Sequence, residues 1–317
     1  MNDKPSSNVP RAVFATTHEK QQGVYSASNL QKALEALNQD GLVVLKGLVD
    51  TAHVDALNDY MSSKTDEIVN NMSNYNHGVP SNILQSPPLT DATYLYEDLY
   101  FNPFIMQLAN AYLGPRPVFN FLKGNTALRN TSALRQPVHK DVRFHHPQCP
   151  FYFIANIPLC DFNVENGATE FWLGSHATTN GSDQVSIQSE VVDQQEGSEL
   201  GELKCDVRPE LCSERKLKRP PIQVNVARGD VVIRDIRLWH AGMPNASKNH
   251  RIMIALGYQI KAAWYPNFHV NSTLPLSQAH FFLKPRPFPV EVRANIVSNE
   301  EVEKMMHCDN FDLRPTQ

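Results

Sequence analysis

Two histidines and one aspartate give this chain its clearest chemical signal. His139 and Asp141 are separated by one residue, and His240 follows much later in the chain. Side chains at positions i and i+2 of a β-strand point to the same face, so His139 and Asp141 can present ligand atoms to one ion. Two imidazoles and one carboxylate are the protein ligands of non-haem Fe(II) oxygenases, and they leave coordination positions open. The spacing therefore predicts a mononuclear iron site.

Arg251 is the second chemical signal, because it follows His240 on the next predicted strand. Its planar guanidinium can bind a carboxylate through two parallel hydrogen bonds. The apolar run from Ile252 to Leu256 comes directly after it and indicates a buried strand. Arg251 is therefore predicted to bind a distal carboxylate inside the site.

Four blocks of sequence surround these residues: Gln136–Phe144, Glu165–His176, Arg228–Ile233 and Trp239–Gly242. In this order, and together with Arg251, they resemble the phytanoyl-CoA dioxygenase family of Fe(II)/2-oxoglutarate enzymes. They look most like its fungal members, which modify secondary metabolites. The resemblance extends over residues 25–262.

The resemblance implies the cofactors and how they are held. Fe(II) would be bound by the His/Asp/His set, with 2-oxoglutarate and O2 as co-substrates and succinate and CO2 as products. Arg251 would bind the C5 carboxylate of 2-oxoglutarate, and Thr169 and Gln136 match positions that contact the co-substrate in similar fungal enzymes. Gly242 stands where some members carry a serine that helps to hold the same carboxylate. If Arg251 does not hold it, Arg143 or Arg234 is the alternative.

The organic substrate is less well defined by the sequence. The segment Ser81–Gln85 resembles the polar substrate-facing loop of the family, so Asn82 is a candidate pocket residue. Phe144, Tyr152 and Trp172 are further candidates, although core packing is the commoner fate of aromatic residues. Hydroxylation, desaturation and ring rearrangement are all open as outcomes. Asp141 argues against a halogenase, because a small residue replaces the carboxylate in such enzymes of this superfamily.

Composition agrees with a soluble enzyme. The chain has 317 residues, a formal net charge of −4 and 41% hydrophobic residues, which suits a sizeable core and not a nucleic-acid binder. No apolar run is long enough to cross a membrane, and the polar N-terminus lacks a signal-peptide core. Five scattered cysteines without a CxxC pair are typical of a reducing compartment. The expected location is the cytoplasm, and a homodimer is left open.

The pattern of elements predicts an α+β fold. Helices are expected after Ser28, Asp50 and Asn102, each acting as an N-cap. β-prone runs dominate from Pro117 onward and predict a double-stranded β-helix, a jelly roll of the cupin kind, with the helices as an N-terminal platform. We expect these strands at Val118–Leu122, Pro150–Pro158, Ala168–Leu173, Ile222–Val226, Val231–Ile233 and Arg251–Ile260.

The domain organisation follows from the same pattern. Residues 1–25 carry no periodicity and are predicted to be a flexible segment before a single dioxygenase domain at 26–317. Residues 178–221 are polar and rich in charge. This insertion is either a solvated, mobile loop or a lid over the substrate mouth.

Two other interpretations use the same residues. A cupin-type metal enzyme, for example a hydrolase, could use the three ligands without 2-oxoglutarate, and it would give Arg251 no role. A catalytically inactive homologue could keep the fold and bind a metal or ligand only. The first would form no succinate, and the second would show no turnover at all.

Overall fold

The structure is a computed structural model that describes residues 8–70, 75–76, 79–186, 203–262 and 270–305. The helices are α1 (Thr17–Gln22), α2 (Ala27–Asp40), α3 (Thr51–Val69), α4 (Glu97–Tyr100), α5 (Pro103–Tyr112), α6 (Pro209–Lys218), α7 (Ala279–Leu283) and α8 (Asn299–Met305). The strands are β1 (Ala12–Phe14), β2 (Leu42–Lys46), β3 (Asn82–Gln85), β4 (Val118–Ala127), β5 (Tyr152–Pro158), β6 (Glu170–Phe171), β7 (Gln184–Ser186), β8 (Leu203–Val207), β9 (Ile222–Gln223), β10 (Val231–Asp235), β11 (His240–Ala241), β12 (Arg251–Gln259), β13 (Thr273–Pro275), β14 (Glu291–Val292) and β15 (Asn295–Val297).

The larger sheet is mixed and has eight strands. Its order is β1-β2-β10-β5-β12-β4-β14, with β3 also paired to β4. The central pairings of β10 with β5 and of β5 with β12 are antiparallel, whereas β1 joins β2 in parallel. Because side chains alternate along each strand, this sheet has one face toward the helices and one toward a second layer.

The second layer is smaller and carries the metal-ligand candidates. Strands β11, β6 and β9 form a three-stranded sheet. Backbone bridges extend it, because His139 pairs with His240 on one side and with Asp206 of β8 on the other. The strand segment around His139 therefore lies between β11 and β8, and it faces the larger sheet as in a jelly roll.

Helices cover the other face of the larger sheet. The main apolar cluster joins Leu37 of α2, Leu57 of α3 and Ile105 of α5 to sheet residues such as Phe153 and Ile233. Burial of apolar area is the main source of its stability, at roughly 25 cal/mol per Å². The sheet is thus held rigid from outside, which leaves its inner face available for a site.

The helix starts agree with two of the three predicted caps. Asp50 caps α3 by accepting a hydrogen bond from Ala52 N, and Asn102 caps α5 ahead of Pro103. The prediction of Ser28 as a cap was wrong, because the hydroxyl of Ser26 accepts from Asn29 N and α2 begins two residues earlier.

The described part of the segment before residue 26, which is predicted to be flexible, forms regular secondary structure. Strand β1 pairs with β2, and α1 has a capping box between Thr16 and Glu19. The Glu19 carboxylate, itself buried, also accepts from Ser26 N and from the Asn29 side chain. These contacts tie the segment to α2. Residues 1–7 lie outside the described residues.

Several strands are shorter than predicted, and one is longer. Strand β6 covers only Glu170 and Phe171 of the predicted strand 168–173, and β9 covers only Ile222 and Gln223 of 222–226. Val226 forms an isolated bridge to Phe162 instead. Strand β4 continues to Ala127 because β12 and β3 both pair along it. Among the described residues, no helix is long and apolar enough to span a membrane.

Candidate metal centre

His139, Asp141 and His240 come together on the inner side of the smaller layer. Each offers one ligand atom, and these atoms lie within 4.8 Å of one another. The Nε2 atoms of His139 and His240 are each 3.6 Å from an oxygen of the Asp141 carboxylate. Donors that share one ion at about 2.1 Å each must lie within about 4.2 Å of one another. The spacing to the carboxylate therefore suits a single small metal ion.

Backbone contacts fix the orientation of both imidazoles. Nδ1 of His139 lies 2.8 Å from the carbonyl oxygen of Pro137, and Nδ1 of His240 lies 3.0 Å from that of Leu238. A carbonyl can only accept, so each Nδ1 carries the proton and donates it. The Nε2 lone pairs are then left for a metal, an arrangement that outer contacts commonly impose on ligating histidines.

Burial also keeps His139 in the form that binds metals. It lowers the pKa of His139 to about 3, and the neighbouring His240 acts in the same direction. A neutral imidazole has the free lone pair that coordination needs.

The two ligand strands are joined behind the site by Thr179, which is fully buried. Its hydroxyl accepts from Lys140 Nζ at 3.1 Å and from Trp239 Nε1 at 2.8 Å. Lys140 lies between His139 and Asp141, and Trp239 precedes His240. Lys140 Nζ also contacts His146 Nε2 and the carbonyl of Asn180, so three acceptors surround it. One hydroxyl thus fixes the two ligand-bearing segments relative to each other.

The Asp141 carboxylate is held from the opposite sheet by Arg234. Nη2 of Arg234, on β10, makes an ion pair with Oδ2 of Asp141. Arg234 Nε in turn donates to Oδ1 of Asn156 on β5, at 3.3 Å. The larger sheet therefore takes part in the centre through a guanidinium.

Arg251 is buried inside the molecule without an anionic partner among the described residues. Its guanidinium lies over the ring of Phe162, 4.6 Å from the centroid, and Nη1 is 3.9 Å from the sulfur of Met253. Its Nε has no hydrogen-bond partner. Burial lowers the pKa of Arg251 to about 10. A buried cation without an anion is costly, so this side chain fits the carboxylate of a bound molecule.

Gln136 fills the place beside His240 that Gly242 leaves open. Gly242 N donates to Gln136 Oε1 at 2.9 Å, and Gln136 N donates to the Gly242 carbonyl. A Cβ on residue 242 would lie 2.3 Å from Gln136 Oε1. A serine at 242 would therefore require the Gln136 side chain to move. Gln136 Nε2 is buried without a partner and remains able to donate.

Thr169 is buried one residue before β6. Glu170 pairs with Ala241 there, so the next residues along the two strands are Thr169 and Gly242. The predicted co-substrate residues Gln136 and Thr169 therefore both flank the His240 strand.

The predicted substrate residues occupy different surroundings. Tyr152 is buried, donates to Asn120 Oδ1, and is close enough to Asp141 and Arg234 for their charges to act on it. Phe144 packs against Phe151 in the same inner cluster. Trp172 donates to Glu170 and packs against Trp239, on the outer side of the ligand strands. Asn82 donates to Asn125 on β4 and accepts from Asn76.

The described ends of the predicted insertion belong to the metal layer. Lys140 N donates to Cys205 O, and Val207 N donates to Val138 O, so β8 pairs along the ligand strand. In α6, Arg215 donates to the carbonyl of Leu173. These parts thus form regular backbone pairing, and the mobility of the insertion stays a prediction. Residues 187–202 lie outside the described residues, and the lid remains a prediction.

Sequence reasoning gave Arg234 only as an alternative and missed Asn156 and Thr179. A signal existed for Arg234, because it is a charged residue directly after the apolar run Val231-Val232-Ile233. Asn156 interrupts the apolar β5 strand. Thr179 had no such signal, because its two donors are distant in sequence.

Comparison with known proteins identifies relatives of this architecture. The family described as phytanoyl-CoA dioxygenase (PhyH) matches residues 37–253. This range includes the three ligand candidates and Arg251, and it is more than half of the chain.

Solved structures with the same fold include two of the epimerase SnoN. One is SnoN in complex with Fe3+, alpha-ketoglutarate and nogalamycin RO, with a TM-score of 0.53 and 16% identity over 74% of this chain and 85% of the other. The second is described as the non-haem alpha-ketoglutarate-dependent epimerase SnoN from nogalamycin biosynthesis, with a TM-score of 0.51 and 16% identity over 74% of this chain and 82% of the other. At this identity the likeness concerns the fold alone.

Proposed function

This chain belongs to the phytanoyl-CoA dioxygenase family of Fe(II)/2-oxoglutarate-dependent enzymes, and from that premise we propose which residues carry the reaction. His139, Asp141 and His240 hold Fe(II). The observation that carries this proposal is the convergence of three ligand atoms, with both Nδ1 atoms turned toward backbone carbonyls. When bound, the iron and 2-oxoglutarate supply the oxidising chemistry, and the protein supplies orientation and a dry site.

Arg251 binds the C5 carboxylate of 2-oxoglutarate in this proposal. Support comes from its burial, its orphaned Nε and the lack of a carboxylate partner among the described residues. Gln136 Nε2 and the hydroxyl of Thr169 are additional donors for the co-substrate, and both side chains are buried beside His240. The arrangement thus provides one charged and two neutral contacts.

The substrate is a small organic molecule, and the reaction oxidises one of its C–H bonds. The products are succinate, CO2 and a hydroxylated, desaturated or rearranged substrate, as in secondary-metabolite biosynthesis. SnoN, which shares the fold, is a biosynthetic enzyme crystallised with nogalamycin RO, and this supports a natural-product substrate. Tyr152 and Phe144 line the proposed substrate side, since both belong to one apolar cluster and Tyr152 is close enough to Asp141 and Arg234 for their charges to act on it.

Trp172 is a weaker member of the substrate site because it packs with Trp239 on the outer side of the ligand strands. Asn82 is also weaker, because its hydrogen bonds join it to Asn76 and Asn125 and not to residues of the metal centre. The helices that cover the larger sheet serve as the platform of the barrel. We also place the reaction in the cytoplasm. The described cysteines are free, as expected of a reducing compartment.

The test measures co-substrate turnover without the organic substrate. Anaerobic protein with Fe(II) and 2-oxoglutarate should develop a weak visible charge-transfer band, and air should then lead to slow formation of succinate. Asp141→Ala should lose both signals while keeping the circular dichroism spectrum of the wild type. A folded, iron-loaded protein that gives neither band nor succinate would contradict the proposal and favour a metal enzyme without 2-oxoglutarate.

A further inference from the structure

Arg234, which forms an ion pair with Asp141, and its neighbour Asn156 each have one buried side-chain donor without a partner among the described residues. Arg234 is 5% exposed and Asn156 is 4% exposed. Their side chains are joined by the contact between Arg234 Nε and Asn156 Oδ1. Arg234 Nη1 and Asn156 Nδ2 remain unsatisfied. A buried donor without an acceptor is destabilising, so two such donors on neighbouring side chains point to a bound molecule.

The position of this pair limits what the molecule can be. Nη1 shares its carbon with Nη2, and Nη2 contacts the carboxylate of Asp141. A group that accepts from Nη1 therefore lies close to the metal centre. A guanidinium and an amide that donate together bind an anionic oxygen more strongly than a neutral one.

The charges of the two buried arginines also indicate an anionic ligand. Arg251 has no anionic partner among the described residues, and Arg234 has only Asp141, whose carboxylate a metal would share. Buried charges are normally paired. Two incompletely compensated guanidinium groups, one beside a metal ligand and one beside Phe162, match a molecule with two carboxylates.

We propose that Arg234 and Asn156 bind the metal-side carboxylate of the 2-oxo acid, the carboxylate adjacent to its 2-oxo group. This inference rests on the proposed function, and it adds a second arginine to the co-substrate site. Arg251 then recognises the distal end of the molecule and the Arg234–Asn156 pair recognises the end that is common to all 2-oxo acids.

Two probes separate the two ends of the molecule. 2-Oxoglutarate carries both carboxylates, whereas pyruvate carries only the one adjacent to the 2-oxo group. Dissociation constants are measured anaerobically from the visible band at saturating Fe(II), after the iron affinity of each variant has been determined separately. The readout is binding and does not depend on turnover.

Arg234→Gln should weaken binding of both 2-oxoglutarate and pyruvate by about tenfold to a hundredfold, since hydrogen bonds to charged groups contribute about 1.5–3 kcal/mol. Asn156→Ala should weaken both by roughly fivefold, and it leaves the ion pair of Asp141 in place. Arg251→Ala should weaken only 2-oxoglutarate. The matched control is Gln85→Ala, which removes an equally buried amide that contacts Thr65 and Thr126 on the helix side.

Failure of the Arg234–Asn156 site and failure of the proposed function give different results. If wild-type protein shows no band, the proposed function itself fails. If the wild type binds both acids and the Arg234 and Asn156 variants bind pyruvate with unchanged affinity, the function stands and this inference is overturned. Weaker pyruvate binding in both variants, with Gln85→Ala unchanged, supports it.

Discussion

Asp235 and Arg251 are both buried charges of the larger sheet, but the protein satisfies only one of them. The Asp235 carboxylate accepts from N, Nε and Nη2 of Arg237 and from the hydroxyl of Tyr112. Arg251 has an aromatic ring and a thioether sulfur as neighbours, and its Nε has no partner. Asp235 lies at the helix-covered face, and Arg251 lies at the inner face.

The difference in compensation distinguishes a charge that serves the fold from a charge that can bind a ligand. Burial acts to raise the pKa of Asp235, but hydrogen bonds and charge from Arg237 outweigh it and hold the pKa below its ordinary value. For Arg251, burial acts without an opposing carboxylate among the described residues and lowers the pKa. A charge that the chain compensates itself stabilises the fold, whereas a charge left uncompensated is available to a ligand.

The largest expected effect comes from removing the unpaired charge. In Arg251→Ala the C5 carboxylate of 2-oxoglutarate loses its partner, at a cost of roughly 3–5 kcal/mol. Since about 1.4 kcal/mol is a factor of ten, affinity should fall by a few hundred- to a few thousandfold. The measurement is the dissociation constant of 2-oxoglutarate under anaerobic Fe(II).

Arg251→Lys is the matched variant, because it keeps the charge but not the planar fork, and it should recover part of the affinity. Iron affinity should stay close to that of the wild type in both variants. Wild-type 2-oxoglutarate affinity in Arg251→Ala would contradict the prediction. It would mean that another arginine binds the C5 carboxylate.

The paired charge should behave in the opposite way. Arg237→Ala leaves Asp235 buried with one remaining side-chain donor, so the free energy of unfolding should fall by about 3 kcal/mol. Arg251→Met in the metal-free protein should cost little or nothing, because no internal ion pair is lost. Urea unfolding of both variants measures this. A comparable loss in Arg251→Met would show that Arg251 is structural.

Much of the fold and of the ligand set follows from local patterns. The His-x-Asp spacing placed two ligands on one face, and Asp50 and Asn102-Pro103 marked helix starts because capping depends on adjacent residues. The apolar residues after Arg251 indicated a buried strand, and the structure buries it as β12.

Long-range pairing accounts for what the sequence did not reveal. β5 and β10 are buried on both faces, so periodicity does not say which way Asn156 and Arg234 point. Strand β8 pairs with the His139 segment although its own sequence reads as part of a polar insertion. Thr179 meets Lys140 and Trp239 only after the two layers have closed.

A substitution of Thr179 tests whether hydrogen bonds behind the metal ligands influence metal affinity. Thr179→Val removes the acceptor shared by Lys140 Nζ and Trp239 Nε1. Outer contacts of metal ligands affect metal affinity by about ten- to a hundredfold, and the lower end is expected because Thr179 contacts neighbours of the ligands. Affinity is measured by chelator competition, and the Co(II) spectrum reports the ligand geometry.

Thr179→Ser keeps the hydroxyl and should restore both the affinity and the spectrum. Thr65→Val is the matched control, since Thr65 is equally buried and hydrogen-bonded but contacts Gln85 and the backbone of α3. It should lose stability without losing metal affinity. An unchanged spectrum and affinity in Thr179→Val would limit Thr179 to a purely structural role.

The smallest effect concerns His146, a neutral group that the fold satisfies completely. Its Nε2 contacts Lys140 Nζ, its Nδ1 contacts the carbonyl of Pro147, and Arg237 and Asp235 are nearby charges. Burial, reinforced by Lys140, lowers the pKa of His146 to about 4.

The pH dependence of stability follows from this shift. Between pH 4 and the ordinary histidine pKa of about 6.5, the unfolded chain binds more protons than the folded one. The stabilising contribution is present above that window and is lost as the pH falls through it. Between pH 8 and pH 5.5 the wild type should lose about 1 kcal/mol more than His146→Gln, whose amide does not titrate. Urea unfolding of the metal-free proteins at both pH values measures the difference. Equal losses in the two proteins would show that His146 protonates as readily in the folded state as in the unfolded chain.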